Sequence, residues 1–211
     1  MSGERQIREM QKLWDHVDHW MAETGNRDRI EQSIWNEFGA TKAIMFTDMS
    51  RFSRITRELG IIHFLSLIRE SHKIHLPILK KYSGFLIKII ADDLVVAFDS
   101  TAQALSAAVE MHRALKQYNE TAAAEFQIGL KIGIETGKIL LLQQTDFFGS
   151  AVNIASKLGE DLAESGEILV GPTARSESGF PQHLFSPVTG EISGMHLEYY
   201  KLAWEQLPIP L

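Results

Sequence analysis

Apolar positions along this chain change their period several times, and each change marks an element. From Ile7 to Met21 they fall at Ile7, Met10, Trp14, Val17 and Met21, in steps of three and four that predict a helix with a coiled-coil-like seam, widened by Leu13 and Trp20. Only about two heptads fit before Thr24-Gly25-Asn26, so a helix pairing with an outside partner and a helix packed on its own domain both satisfy the pattern. A second helix over Arg29 to Phe38 leads through Gly39 into a strand from Lys42 to Asp48, and one long helix is predicted over Phe52 to Tyr82 with Ser50 as its cap. Gly84 to Ala91 and Leu94 to Phe98 predict two strands joined at hairpin spacing by Asp92-Asp93. Thr101 to Tyr118 carries Leu105, Ala108, Val109, His112 and Leu115 at helical spacing. Phe126 to Glu135 and Lys138 to Leu142, with Thr136-Gly137 between them, predict another hairpin. Gly149 to Ser165 reads as a helix stopped by Gly166, Glu167 to Val170 as a strand, and Leu197 to Leu202 as a late strand within Glu191 to Trp204.

This order predicts an α+β fold, a ferredoxin-like split βαβ sheet with helices on one face. Residues 1–39 form an N-terminal helical extension, residues 40–205 the main domain, and residues 206–211, with Pro208 and Pro210, a tail. With 211 residues and 45% hydrophobic content, the chain can bury one sizeable core. Its net charge of −6 argues against a nucleic-acid polymer as partner, which needs a concentrated basic surface. It has no cysteine, which excludes disulfides and thiolate metal sites. The N-terminus lacks the apolar core of a signal peptide and no run approaches a membrane span, so the expected location is cytoplasmic, with no membrane partner.

The candidate chemistry lies in acids that end two strands. Asp48 follows Ile44-Met45-Phe46-Thr47, and Asp92 follows Lys88-Ile89-Ile90-Ala91. Each alone is an ordinary helix-entry or turn residue, but as a pair at neighbouring strand ends they can bind divalent cations through oxygen and support phosphoryl transfer. Period-two alternation puts Lys88 on the face of Asp92, where a lysine in a buried strand needs a polar partner. The eight histidines show no metal-ligand spacing with nearby acids and read as helix residues.

Five motifs follow in order: Phe46-Thr47-Asp48 with Phe52-Ser53, Lys88-x-x-Ala91-Asp92, Gly133-Ile134-Glu135-Thr136-Gly137, Asp146-x-x-Gly149, and Val152-Asn153-x-Ala155-Ser156-Lys157-Leu158. The set resembles the class III adenylyl and guanylyl cyclase catalytic domain, over roughly Thr41 to Leu202. The resemblance implies a head-to-tail homodimer with two sites at the interface, Asp48, Asp92 and the Met49 carbonyl holding two Mg²⁺ or Mn²⁺ ions, and Arg51, Phe52 and Ser53 in the phosphate-binding loop. It also implies that Lys88 and Asp146 read the purine, in the combination that favours ATP, and that Asn153 orients the ribose. The product would be cyclic AMP.

The chain departs from the family pattern at several points. Lys157 stands where an arginine is usual, keeping the charge but losing the planar fork. Ser193 replaces a phosphate-binding lysine, and Arg51 stands where glycine is common and is a candidate replacement cation. Ala91 in place of glycine is expected to cost only backbone freedom. A nucleotide-binding protein without substantial turnover, and a cyclase for another base, therefore stand beside the adenylyl reading. The N-terminal helices are a candidate dimerisation stalk or docking site for a separate regulatory protein.

Overall fold

A computed structural model of the chain describes residues 2–50, 52–142, 146–192 and 195–208, without the side chains at 2–6, 52–54, 191–192 and 195–197. Two helices come first, α1 (Ser2–Ala22) and α2 (Arg27–Phe38). Met10, Leu13, Val17 and Trp20 of α1 pack with Ile30, Ile34 and Phe38 of α2 and close onto Leu140 and Leu142 of the main sheet. The expected seam is thereby split. Met10-Leu13-Val17-Trp20 has the same three-four spacing and is the stripe that α2 covers, leaving Ile7, Trp14 and Met21 70%, 46% and 62% exposed.

The strands β1 (Gly39–Met49), β2 (Phe85–Ile90), β3 (Asp93–Phe98), β4 (Leu130–Leu142), β5 (Asp146–Phe148), β6 (Ile168–Val170), β7 (Phe185–Ile192) and β8 (Met195–Leu202) form one mixed sheet. Its order is β2-β3-β1-β4-β6-β8-β7, with β5 pairing β4 off that path. Central β1 runs antiparallel to both β3 and β4. The remaining helices are α3 (Phe52–Leu59), α4 (Ile61–Lys81), α5 (Thr101–Thr121), α6 (Ser150–Ser156) and α7 (Pro172–Ser176), with a π-helical turn over Lys157–Leu162 after α6.

Helices cover both faces of the sheet rather than one. Ala43, Met45 and Met49 of β1 share a core with Phe64 and Leu67 of α4 and Leu105 and Met111 of α5. Ile44 and Phe46 point the other way, onto Ala151, Val152 and Ala155 of α6. Residues 43–47 of β1 are all buried, and a strand apolar on both sides needs cover on both sides.

Other expectations fail for identifiable reasons. The long helix over Phe52 to Tyr82 divides at Gly60, whose φ of +85° belongs to the left-handed region. Ser50, expected as its cap, donates its hydroxyl to Ser165 Oγ at 3.0 Å, and the cap itself adjoins Arg51, outside the described residues. No hairpin forms at Thr136-Gly137, because β4 runs unbroken for 13 residues. The glycines there serve packing. A Cβ on Gly133 would lie 2.2 Å from Gly159 N and 2.3 Å from Ala155 O, so glycine lets α6 and its turn lie directly on β4. Glu135, 2% exposed, accepts from Thr136 N–H at 2.6 Å and Ala174 N–H at 2.8 Å, tying β4 to the start of α7. Strand β7 was not expected; it holds Pro187, which an edge strand tolerates. Among the described residues no helix is long and apolar enough to cross a membrane.

Candidate active site

The β1–β3 register, with Thr47 opposite Leu94, brings the end of β1 beside the β2–β3 turn. Asp48 lies on the α6 side of β1, by alternation with Ile44 and Phe46. The β2–β3 hairpin forms as expected, but its turn is Ala91-Asp92, one residue earlier than expected, with Ile90 opposite Asp93. A bulge between Leu86 and Lys88 takes Leu86 out of the expected alternation with Lys88, and Asp92 leaves it because the strand ends at Ile90 and Asp92 lies in the turn. Ala91 takes φ +55°, so it carries a strain that the sequence reading did not assign to it.

One oxygen from each of Asp48, Asp92 and Asp93 lies within 4.8 Å of the others. The Met49 N–H donates to Asp92 Oδ2 at 3.2 Å and fixes that carboxylate. Burial pushes the Asp92 carboxyl up, and the Asp48 charge adds to it. Asp93 is pushed up to about 7, by burial first and then by the charges of Asp92, Asp48 and Glu160. Crowded carboxylates that resist ionising together are what a divalent cation relieves, and hard oxygen donors suit Mg²⁺ or Mn²⁺. The donor set therefore fits the metal implied by the sequence.

Two further groups border the acids. Lys131 of β4, directly opposite Asp48 in register, pairs its ammonium with Asp48 Oδ2 and donates to the Glu160 carbonyl at 2.7 Å. The Glu160 side chain accepts from Ser156 Oγ at 3.0 Å, and burial, with the nearby Asp161 and Asp48 charges, raises its carboxyl. Sequence reasoning missed Asp93 as a ligand candidate, along with Lys131 and Glu160. The available signal was Lys131 itself, a lysine between the buried Leu130 and Ile132.

The two groups expected to read the purine come together. Lys88 Nζ donates to Asp146 Oδ1 at 2.9 Å, and the same oxygen accepts from Phe147 N–H at 2.9 Å. Exposed apolar residues neighbour this pair along the chain: Phe85, Ile89 and Ile90 of β2, with Ile89 on the face opposite Lys88, and Phe148 of β5. Asn153 is exposed and Lys157 half-buried, four residues apart and so on one side of α6 and its turn, facing away from Ala151, Val152 and Ala155. Among the described residues no acid pairs with Lys157. Arg51 and Ser193 lie outside the described residues, and so do the side chains of Phe52 and Ser53, whose backbone opens α3.

The profile of the adenylate and guanylate cyclase catalytic domain matches residues 39–190. A protein named putative adenylate cyclase 3 of Rhizobium meliloti (strain 1021) is 27% identical over 129 residues, covering 61% of this chain and 22% of that protein. The adenylate cyclase of Streptomyces griseus is 28% identical over 127 residues, covering 60% of this chain and 30% of its own length. The chain thus spans less than a third of either relative. Among solved structures, the guanylyl cyclase Cya2 superposes with a TM-score of 0.69 at 18% identity, over 78% of this chain and 92% of that one. The adenylate/guanylate cyclase/hydrolase from Silicibacter pomeroyi does so with a TM-score of 0.64 at 25% identity, over 78% and 96%. A profile match over more than two thirds of the chain, on a sheet shared with these structures, makes the chain a member of the adenylate and guanylate cyclase catalytic domain family.

Proposed function

We propose that this domain is an adenylate cyclase that converts ATP to 3′,5′-cyclic AMP and pyrophosphate as a homodimer. The observation that carries the reading is the triad of converging carboxylates, Asp48, Asp92 and Asp93, on a cyclase fold that also presents a preformed Lys88–Asp146 pair. Asp48, Asp92 and the Met49 carbonyl would hold two Mg²⁺ or Mn²⁺ ions, with Asp93 as an adjoining acid. Bound there, such ions would favour the ionised ribose 3′-hydroxyl and offset charge on the triphosphate.

The chain's own groups would do the rest. Asp146 can accept from the adenine amino group and Lys88 can donate to a ring nitrogen, whereas guanine presents the opposite pattern. Both are partly open to solvent, with side chains 35% and 21% exposed, so a base can reach them. The curated relatives named as adenylate cyclases favour the same base, while the structural neighbours include guanylyl cyclases and support only the fold. Asn153 would orient the ribose, and Lys157 on the same helix side would donate to charge developing on the α-phosphate. The exposed Phe85, Ile90 and Phe148 near Lys88 and Asp146 are where a second copy would exclude water and bring its own carboxylates to the nucleotide.

Lys157 favours one second reading, a nucleotide-binding signalling protein with little turnover, because a point charge replaces a forked donor at the transition-state position. Incubation of the purified protein with each of four nucleoside triphosphates and Mn²⁺ separates the readings. ATP should yield cyclic AMP and pyrophosphate, and Asp48→Ala should abolish both. A melting shift with ATP but no product at high protein concentration favours the binding protein, and a cyclic product from another triphosphate alone overturns the base assignment.

A further inference from the structure

Lys131 contacts the carboxylate of Asp48, one of the three acids that would hold a metal ion. The β1–β4 register places its Cα directly across from Asp48, and its side chain, 15% exposed, runs to Asp48 Oδ2. The ammonium is held from a second side by the Glu160 carbonyl at 2.7 Å. That carbonyl belongs to the π-helical turn Lys157–Leu162, which the Gly133–Gly159 contact presses onto β4: a Cβ on Gly159 would lie 2.9 Å from Phe46 O and 3.0 Å from Gly133 N. The lysine is thus anchored at both ends on rigid elements. It is the one cation that the described ion pairs bring to the Asp48, Asp92 and Asp93 cluster.

A divalent ion on Asp48 and an ammonium on the same carboxylate would lie within a few ångströms of each other. Like charges at that separation repel strongly in a partly buried site, while either one alone satisfies the carboxylates. We propose that Lys131 is an internal competitor for the metal site: it neutralises Asp48 through a direct ion pair, and a divalent ion must displace it to bind. Lys131 thereby holds the affinity for metal alone below what three carboxylates would otherwise confer. The inference rests on the reading of these acids as the metal site. It concerns this chain's own lysine rather than the acids themselves.

Mn²⁺ binding, followed by electron paramagnetic resonance with no nucleotide present, tests it. Lys131→Met keeps the length of the side chain and removes its charge, and should bind Mn²⁺ about tenfold more tightly than the unmodified protein. Lys131→Arg should stay near the unmodified value. A lysine that served only to hold the fold would give weaker binding on removal, not tighter. Asp92→Asn assigns the signal to this site. Binding that Asp92→Asn abolishes but Lys131→Met leaves unchanged or weakens overturns the competition while leaving the metal site standing. Absence of Mn²⁺ binding by every form overturns both. Amine labelling of the unmodified protein, read by peptide mass spectrometry, is independent of how the variants fold. Mg²⁺ at constant ionic strength should raise the labelling of Lys131, and unchanged or lower labelling contradicts its displacement.

Discussion

Two buried histidines make the fold sensitive to acid, and the size of the effect follows from their surroundings. His75 of α4 is fully buried, with Nδ1 3.0 Å from Ser71 Oγ and Nε2 without a hydrogen-bond partner among the described residues. Burial pulls its pKa down to about 3, and the nearby His112 and His72 add to this. His112 of α5, 4% exposed, stacks on Trp204 with ring centroids 5.2 Å apart, and burial pulls it down to about 4. Both are depressed bases, neutral in the fold and free to charge in the unfolded chain from about pH 6.5 downward. The stability held by keeping them neutral is therefore complete above that pH and is lost as pH falls toward 4 and 3. At pH 5 the unfolded chain gains about 1.5 pH units of protonation free energy at each histidine, roughly 2 kcal/mol apiece and about 4 kcal/mol together.

Asp93 works in the opposite sense. Its raised pKa of about 7 means that the fold gains stability as pH drops through that value. The test is therefore a difference in which Asp93 cancels. Urea unfolding at pH 7.5 and pH 5 should show the stability change of the unmodified protein to be about 4 kcal/mol less favourable than that of the His75→Gln/His112→Gln variant, whose starting stability is lower. Equal changes in the two proteins would refute the claim that these rings are held neutral by burial.

Other consequences follow from the same geometry. Ala91→Gly releases a left-handed alanine at about 1–2 kcal/mol, offset by roughly 0.5–1 kcal/mol of glycine entropy, so thermal unfolding should show a net gain of about 0.5–1 kcal/mol. A loss of stability would contradict the strained turn. Gly133→Ala drives a methyl into the backbone of Gly159 and Ala155 and should cost about 2–3 kcal/mol in urea unfolding, and any folded fraction should turn over more slowly because the turn carrying Lys157 shifts. Lys157→Ala should lower kcat on the order of 10²-fold while Lys157→Arg raises it, and kinetics unchanged in both would remove Lys157 from the transition state.

Much of the site was legible because acids at strand ends stand out against apolar runs. Asp48 and Asp92 were read directly, and Lys88 and Asp146 through the family resemblance; in the structure the first two meet and the last two pair. The misreadings share a cause, which is that local signals carry more than one meaning. Thr136-Gly137 looked like a turn, yet Gly137 is small because Ala151 Cβ would be only 3.1 Å from an added Cβ. Asp92-Asp93 looked like the hairpin turn, but the chain turns on Ala91 in a conformation alanine disfavours, which moves Asp93 into the acid cluster. Lys131 had no motif of its own, because its role depends on a cross-strand register that spacing along the chain does not reveal.

The central claim is that each nucleotide is gripped by carboxylates of one subunit and by the Lys88–Asp146 pair of the other. Mixing two inactive variants tests it most directly. Asp48→Ala/Asp92→Ala keeps the base-reading pair, and Lys88→Ala/Asp146→Ala keeps the acids, so a mixed dimer contains one intact site. Co-expressed and assayed with ATP and Mn²⁺, the two should recover up to roughly a quarter of the unmodified cyclic AMP production, since about half of the dimers are mixed and each has one of two sites. Mixed dimers that form but remain as inactive as each variant alone would contradict the shared site.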